Sequence, residues 1–266
     1  MTSLDPNKAL LPPLPPLKSF SLTHILYDPT HPLSIPLTLL SLSPIFLFVS
    51  YFTLLIFNRR LSILFLGLGS VGNEVLSWIL KRTLKGDRPY KGHGEIGTGY
   101  GNPSSHSQAA GFLVAWDIGY AMTLSIRATT TTPTRKSDQG TLGIIRKVRN
   151  GVYVVGLIVW SIGVSYSRWH LHYHTPTQII AGYLVGLVAG SIYFYLTEYV
   201  PMRYPTSILG KLRRAIESIW TGLGGVGGFE LGDAKGGWGE GWVFDGSLKS
   251  EAGTGSERSG AKKKMR

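Results

Sequence analysis

The 266-residue chain is expected to be an all-α polytopic membrane protein: a bundle of about five transmembrane helices with a disordered C-terminal tail. Three observations predict this class. The apolar residues are gathered in long, nearly uncharged blocks, although the mean hydropathy of the whole chain is only +0.10. Charged residues make up 16%, too few for a disordered or nucleic-acid-binding chain, so the expected environment is the bilayer and no nucleic-acid partner is expected. Glycine crowds one end: 14 of the 34 glycines fall in 222–260, mixed with Ser, Glu and Lys. Such a segment cannot bury a core. Cysteine is absent, which excludes a disulfide scaffold, a zinc ribbon and a cysteine nucleophile.

The elements follow in order. Residues 1–34 are Pro-containing (Leu-Pro-Pro-Leu-Pro-Pro at 11–16) and lack a charged start followed by a short apolar core, so the first span is expected to do its own targeting. A helix rising about 1.5 Å per residue needs roughly 17 to 25 apolar residues to cross a bilayer core. Blocks of that kind lie at 35–57, 61–80, 107–126, 151–167 and 177–197, the fourth being marginal in length. None carries the polar stripe at period 3.6 expected of a buried helix in a soluble protein. Glu74 and Asp117, the two charges within spans, are expected to face the bundle interior. The membrane domain is therefore assigned to 35–200 and a Gly-rich basic tail to 201–266, with the chain changing character from about Pro205.

Basic residues near span ends favour the cytoplasm. Arg59 and Arg60, the cluster Arg127, Arg135, Lys136, Arg146, Lys147 and Arg149, and Arg203, Lys211, Arg213 and Arg214 share one face by parity, twelve in all. The opposite face holds six: Lys81, Arg82, Lys85, Arg88, Lys91 and Arg168. This predicts a cytosolic tail and a lumenal N-terminal segment. It also leaves six cations on the disfavoured side, where a bound anion would account for them. Gly67-Leu-Gly-Ser-Val-Gly72 matches the dinucleotide-binding G-x-G-x-x-G pattern but lies inside an apolar block without a preceding strand. Small residues so spaced let membrane helices approach closely.

Nearly all the chemistry converges on that second face. Lys81 is followed after six residues by Arg88-Pro89; Pro103-Ser104-Ser105-His106 opens the third helix; Ser167-Arg168 is followed after five residues by His174, with Gln178 one turn on. Arg grips phosphate oxygens with paired N–H donors and Lys adds a point charge. Ser104-Ser105 at a helix N-terminus offers backbone N–H groups to an anion. A competing reading is metal binding by His170, His172 and His174 with Asp87 and Glu95, which needs an extended segment for the histidines to share a face. Ser167-Arg168 makes no sense as ligands in that reading.

These three motifs, Lys-x6-Arg-Pro, Pro-Ser-x-His and Ser-Arg-x5-His, resemble those of the phosphatidic acid phosphatase type 2 / haloperoxidase superfamily over roughly residues 20–200. Two departures, Ser105 for the usual Gly and Gln178 for the usual Asp, are similar to its dolichyldiphosphatase branch, as are Tyr173-His174-Thr175-Pro176-Thr177-Gln178 and Ser21-Leu-Thr-His-Ile-Leu-Tyr27. The resemblance implies a phosphohydrolase without metal or other cofactor, working through a phosphohistidine on a polyprenyl (dolichyl) diphosphate in the endoplasmic reticulum membrane, and so recycling the carrier of protein N-glycosylation. His174 would be the nucleophile and His106 the acid and base, with Gln178 orienting His174. Lys81, Arg88, Ser104, Ser105 and Arg168 would bind the phosphate. Alternatives at this level are a phosphatase of phosphatidate or a sphingoid phosphate, and a catalytically silent lipid-binding scaffold. Lys263-Lys264-Met265-Arg266 resembles a dilysine retrieval signal, which suits a cytosolic tail in the endoplasmic reticulum.

Overall fold

The computed structural model describes residues 17–20, 25–57, 60–90, 99–130 and 139–222, with no side-chain account at 124–130, 139–143, 146–147 and 221–222. A two-residue antiparallel pair, β1 (Lys18–Ser19) and β2 (Leu26–Tyr27), precedes the helices. These are α1 (Ser34–Ser41), α2 (Ser43–Phe57), α3 (Leu61–Leu84), α4 (Ser105–Thr130), α5 (Gln139–His170) and α6 (Pro176–Phe194). After α6 come a π-helical turn (Tyr195–Tyr199), α7 (Val200–Arg203) and α8 (Ile208–Gly222). The expected all-α class is correct.

Among the described residues, four segments are long and apolar enough to cross a membrane: Ser34–Phe57, Leu61–Leu84, Val148–His170 and Pro176–Arg203. Four of the five expected blocks are among them. The block at 151–167, marginal in sequence, is the interior of the 32-residue α5 and qualifies. The block at 107–126 does not. Its helix α4 is long, 26 residues or roughly 39 Å, but Gln108, Trp116 and Asp117 dilute its hydropathy. The reason is packing: Ala110, Phe112, Leu113, Val114 and Trp116 are buried among protein neighbours and need not suit lipid.

The contacts divide the chain into two units: 1–50, 67–116 and 155–193 form the first, and 51–66, 117–154 and 194–266 the second. Along α1 and the start of α2, in the first unit, the usual polarity is reversed. Ile35, Leu39, Ile45, Phe46 and Val49 are exposed, whereas Ser34, Thr38 and Ser41 are buried. That inversion suits a chain whose solvent is lipid, where small polar residues mediate helix packing. Glu74, contrary to expectation, is exposed on α3, while Asp117 in the second unit is half-buried. Within the stretch assigned to the tail, residues 208–222 are helical, and 223–266 lie outside the described residues.

The tightest packing in the first unit is between α4 and α6. Gly182, Gly186 and Gly190 recur every fourth residue on α6, and a Cβ at each would strike the backbone carbonyls of Ser104, Gln108 and Phe112 in turn. Gly111 meets the Tyr183 carbonyl in the same way from the α4 side. Small residues at this spacing are what allow two membrane helices to touch backbone to backbone. Of the G-x-G-x-x-G glycines inside α3, Gly69 is packed against Tyr193 and Phe112, but Gly72 has open space beside it.

Candidate active site

The Arg168-to-His174 spacing is produced by the way α5 ends. His172 sits in the left-handed region (φ 60), its N–H donates to the Trp169 carbonyl at 2.9 Å, and the Tyr173 N–H to the Arg168 carbonyl at 3.0 Å. These crossed bonds are a Schellman closure, with histidine where glycine is usual. The His174 N–H reaches the same Arg168 carbonyl at 3.2 Å. Five intervening residues are the length of this reversal, which returns His174 to the helix end that carries Arg168.

The next four residues fix the His174 ring. Thr175-Pro176-Thr177-Gln178 is a capping box that starts α6: the Gln178 N–H donates to Thr175 Oγ1 (3.4 Å) and the Thr175 N–H to Gln178 Oε1 (3.3 Å). Pro176 occupies the first helical position, where its missing N–H costs nothing. Gln178 Oε1 also faces His174 Nδ1 at 3.3 Å, and the Gly101 carbonyl faces it at 2.9 Å. Both groups are acceptors, so Nδ1 carries the proton and Nε2 keeps a free lone pair. Gly101 comes this close because it lacks a side chain; a Cβ would lie 2.9 Å from Arg88 Cγ and 3.1 Å from Gln178 Oε1. Burial, reinforced by the charges of Arg168 and Arg88, pushes the His174 pKa down to about 3, against the opposing hydrogen bond to Gln178. His174 is neutral.

Ser104 precedes α4, accepts the Gln108 N–H at its carbonyl (2.9 Å), and donates its own N–H to the Gln178 carbonyl at 3.2 Å. The second and third motifs are thus joined backbone to backbone, at the point where Gly182 allows α6 to approach. The first turn of α4 contains no acidic residue to occupy its N–H groups. Lys81 lies in the last turn of α3 rather than in a loop, and its Nζ donates to Ser105 Oγ at 3.2 Å. The hydroxyl of Ser105 therefore has a task that glycine could not perform. Arg88 Nε donates to the Gly99 carbonyl at 3.1 Å.

Arg168 is buried beside Tyr173, its guanidinium carbon 4.0 Å from the ring centroid. Its Nη1 donates to Ser41 Oγ at 2.7 Å, and its Nε has no hydrogen-bond partner among the described residues. Ser41 also touches His106, whose ring hydrogen-bonds the Ser41 backbone, and the charges of Arg168, His174 and Lys81 all reach His106. All eight residues singled out by sequence lie in the first unit. Sequence reasoning missed Ser41. The available signal was faint: Ser34, Thr38 and Ser41 fall at i, i+4 and i+7, the only polar stripe of a segment otherwise judged by its lack of charge.

Among the described residues no group of three or more His, Asp or Glu side chains could hold a metal ion. His170 is turned towards His31 (rings 4.6 Å apart) and Ser34 Oγ (3.4 Å), and His172 towards Tyr90 (5.8 Å), so the three alternate histidines do not converge. Asp87 contributes its backbone carbonyl, which accepts from Gln178 Nε2 at 2.6 Å. Glu95 lies outside the described residues.

Three cations, two histidines, of which His174 is neutral with a bare nitrogen, and an unblocked helix N-terminus define a site suited to phosphoryl transfer. The chain belongs to the PAP2 superfamily, whose profile matches residues 60–201. It is 36% identical over 182 residues to dolichyldiphosphatase 1 of Homo sapiens, covering 68% of this chain and 71% of that one. It is 30% identical over 202 residues to dolichyldiphosphatase of Saccharomyces cerevisiae (74% and 77%) and 28% over 189 residues to dolichyldiphosphatase 1 of Dictyostelium discoideum (70% and 76%). No solved structure matches.

Proposed function

We propose that this protein is a membrane-bound lipid diphosphate phosphatase of the endoplasmic reticulum, hydrolysing dolichyl diphosphate to dolichyl phosphate and inorganic phosphate. The named relatives support the substrate, and the state of His174 supports the chemistry. Nε2 of neutral His174 attacks the terminal phosphorus, forming an N–P bond as the P–O bond to the bridging oxygen breaks. Burial and the charges of Arg168, His174 and Lys81 hold the His106 pKa down in the free site; the bound diphosphate offsets those charges, so that His106 takes up a proton with the substrate, gives it to that oxygen, and dolichyl phosphate leaves. Water, deprotonated by His106, then attacks the phosphohistidine, returning Nε2 to its free state and releasing phosphate. Lys81, Arg88 and Arg168 spread over the non-bridging oxygens, with Ser104, Ser105 and the α4 N-terminus adding donors as charge moves outward.

The observation that carries this reading is the double tether on His174 Nδ1, which leaves the lone pair on Nε2, in a site where the charges of Arg168, Arg88 and Lys81 all reach the ring. By the charge asymmetry of the chain the site faces the lumen and residues 201–266 the cytosol. There the reaction would recycle the carrier left after glycan transfer to protein. The test is phosphate release by purified protein from dolichyl diphosphate, with and without EDTA. His174→Ala and His106→Ala should each abolish release while the protein still accumulates in membranes. Parental activity in either variant overturns the assignment; inhibition by EDTA overturns the metal-free reaction.

A further inference from the structure

The second unit contains α8, for which the proposed reaction has no use. We propose that α8 is an interfacial helix, seating an apolar stripe in the headgroup region of the bilayer and binding anionic lipid headgroups with the cations beside that stripe. Ser207 starts the helix: its Oγ accepts the Gly210 N–H at 3.1 Å and its carbonyl the Lys211 N–H at 2.9 Å. Ile208, Leu212, Ala215 and Ile219 then fall at i, i+4, i+7 and i+11, all exposed, with Ile208 at 84% and Ile219 at 65%. Single exposed apolar residues are ordinary; a continuous stripe along one helix marks a contact.

Three observations name the bilayer as the occupant. First, only four residues separate α8 from the end of the span Pro176–Arg203. That link reaches about 14 Å at most when fully extended, so the helix starts close to the end of the span and hence to the membrane surface. Second, α8 cannot itself cross. Its 15 residues span roughly 22 Å, and Lys211, Arg213, Arg214 and Glu217 interrupt them. Third, the helix is fixed at an end of the span. Arg213 Nη1 pairs with Glu198 Oε1 at 2.7 Å and donates to the Thr197 carbonyl, while its guanidinium lies 5.4 Å from the Phe65 ring centroid. Glu198 is buried in the π-helical turn, so this pair is a latch rather than a solvated surface contact. With Arg213 thus engaged, the exposed Lys211 and Arg214 are the cations left to face headgroups. An amphipathic helix with basic flanks is the form that lies in an interface plane.

The chain has no cysteine, so single cysteines introduced at exposed positions can be labelled uniquely. Leu212→Cys, Ile219→Cys and, on the opposite face, Glu217→Cys would each carry an environment-sensitive fluorophore. The proteins would be reconstituted in phosphatidylcholine vesicles with and without phosphatidylserine. The labels at 212 and 219 should emit blue-shifted and be quenched several-fold more by shallow nitroxide lipids than the label at 217. In the phosphatidylserine vesicles, Lys211→Gln with Arg214→Gln, or high salt, should weaken quenching at 219. A label at 219 as hydrated as that at 217 overturns the proposal. So does one shielded from water yet untouched by nitroxide lipids, which would mean that protein, such as a second copy, covers the stripe. Quenching at 219 that ignores both phosphatidylserine and the loss of Lys211 and Arg214 overturns the headgroup contact.

Discussion

Ser41→Ala should impair the reaction although no motif includes Ser41. Arg168 is 6% exposed, its Nε has no hydrogen-bond partner among the described residues, and Nη1 has Ser41 Oγ at 2.7 Å. A hydrogen bond to a charged group is worth about 1.5–3 kcal/mol. Arg168 will not unfold when that bond is lost, because Tyr173 still stacks on it and its carbonyl still closes the helix. The cost falls instead on where the guanidinium points. If the whole of it appears in the transition state, it corresponds to a drop of about 10- to 150-fold in kcat/KM. The assay is phosphate release from dolichyl diphosphate per folded molecule. Ser41→Thr, which keeps the hydroxyl, should recover most of the loss. Thr38→Ala, on the same buried stripe but bonded within its own helix to the Ser34 carbonyl, should lose little. Parental activity in Ser41→Ala, or an equal loss in Thr38→Ala, refutes the reasoning.

Three further outcomes follow from the same geometry. Gln178→Ala removes the capping-box return and the bond to the Asp87 carbonyl as well as one tether of His174; because the Gly101 carbonyl still holds Nδ1, activity should fall only in part, while the melting temperature drops by an amount matching the ~1 kcal/mol of a lost cap. Gly186→Ala sets a methyl group against the Gln108 carbonyl, and should destabilise by about 1–3 kcal/mol, read as a lower melting temperature in detergent with no new polar contact to blame. With a folded pKa of about 3 against 6.5, His174 binds fewer protons folded than unfolded between those values, so its contribution is fully present above pH 6.5 and is lost as pH falls towards 3; the melting temperature of His174→Gln should decline less over that window than the parent's.

The three motifs and the apolar blocks were readable because each is local: a span is a run of composition, and Ser-Arg-x5-His is one helix end. What was not readable depended on partners. Whether 107–126 suits lipid depends on the helices around α4, which bury Phe112, Leu113 and Trp116. The role of Ser41 depends on a residue 127 positions away. Glu74 looked like an interior charge because charges in spans usually are, but the face it occupies is set by the register of α3, which composition does not reveal. The α8 case is different. Its period was present in the sequence, but assigning 201–266 as a single Gly-rich tail merged an amphipathic helix with the stretch 222–260 that holds the glycines.

Gln178 gains a physical rationale that neither its position nor its departure from the superfamily pattern supplies. An acid one turn after the histidine would hold Nδ1 and offset the positive charge that grows on the ring during attack. Here the residue has two other obligations. Its oxygen must accept from the Thr175 N–H to start α6, which a carboxylate could do; its nitrogen donates to the Asp87 carbonyl at 2.6 Å, which a carboxylate could not. A carboxylate oxygen placed there would face a carbonyl oxygen with no proton between them. The bond to Asp87 matters because it holds the residue next to Arg88, in a segment also tied by the Gly101 N–H to the Gly86 carbonyl at 2.7 Å and by Arg88 Nε to the Gly99 carbonyl at 3.1 Å. The amide thus trades charge compensation at His174 for a fixed position of the first motif's arginine. The lost compensation is partly made up at the ring itself, where Nδ1 has a second acceptor in the Gly101 carbonyl, 0.4 Å closer than the amide oxygen, by 2.9 against 3.3 Å. Gln178→Glu tests that trade: it restores the negative charge yet should release the Asp87 carbonyl. Phosphate affinity through Arg88 should then weaken even as the basicity of His174 rises. If Gln178→Glu instead improves both, the amide has no positioning role.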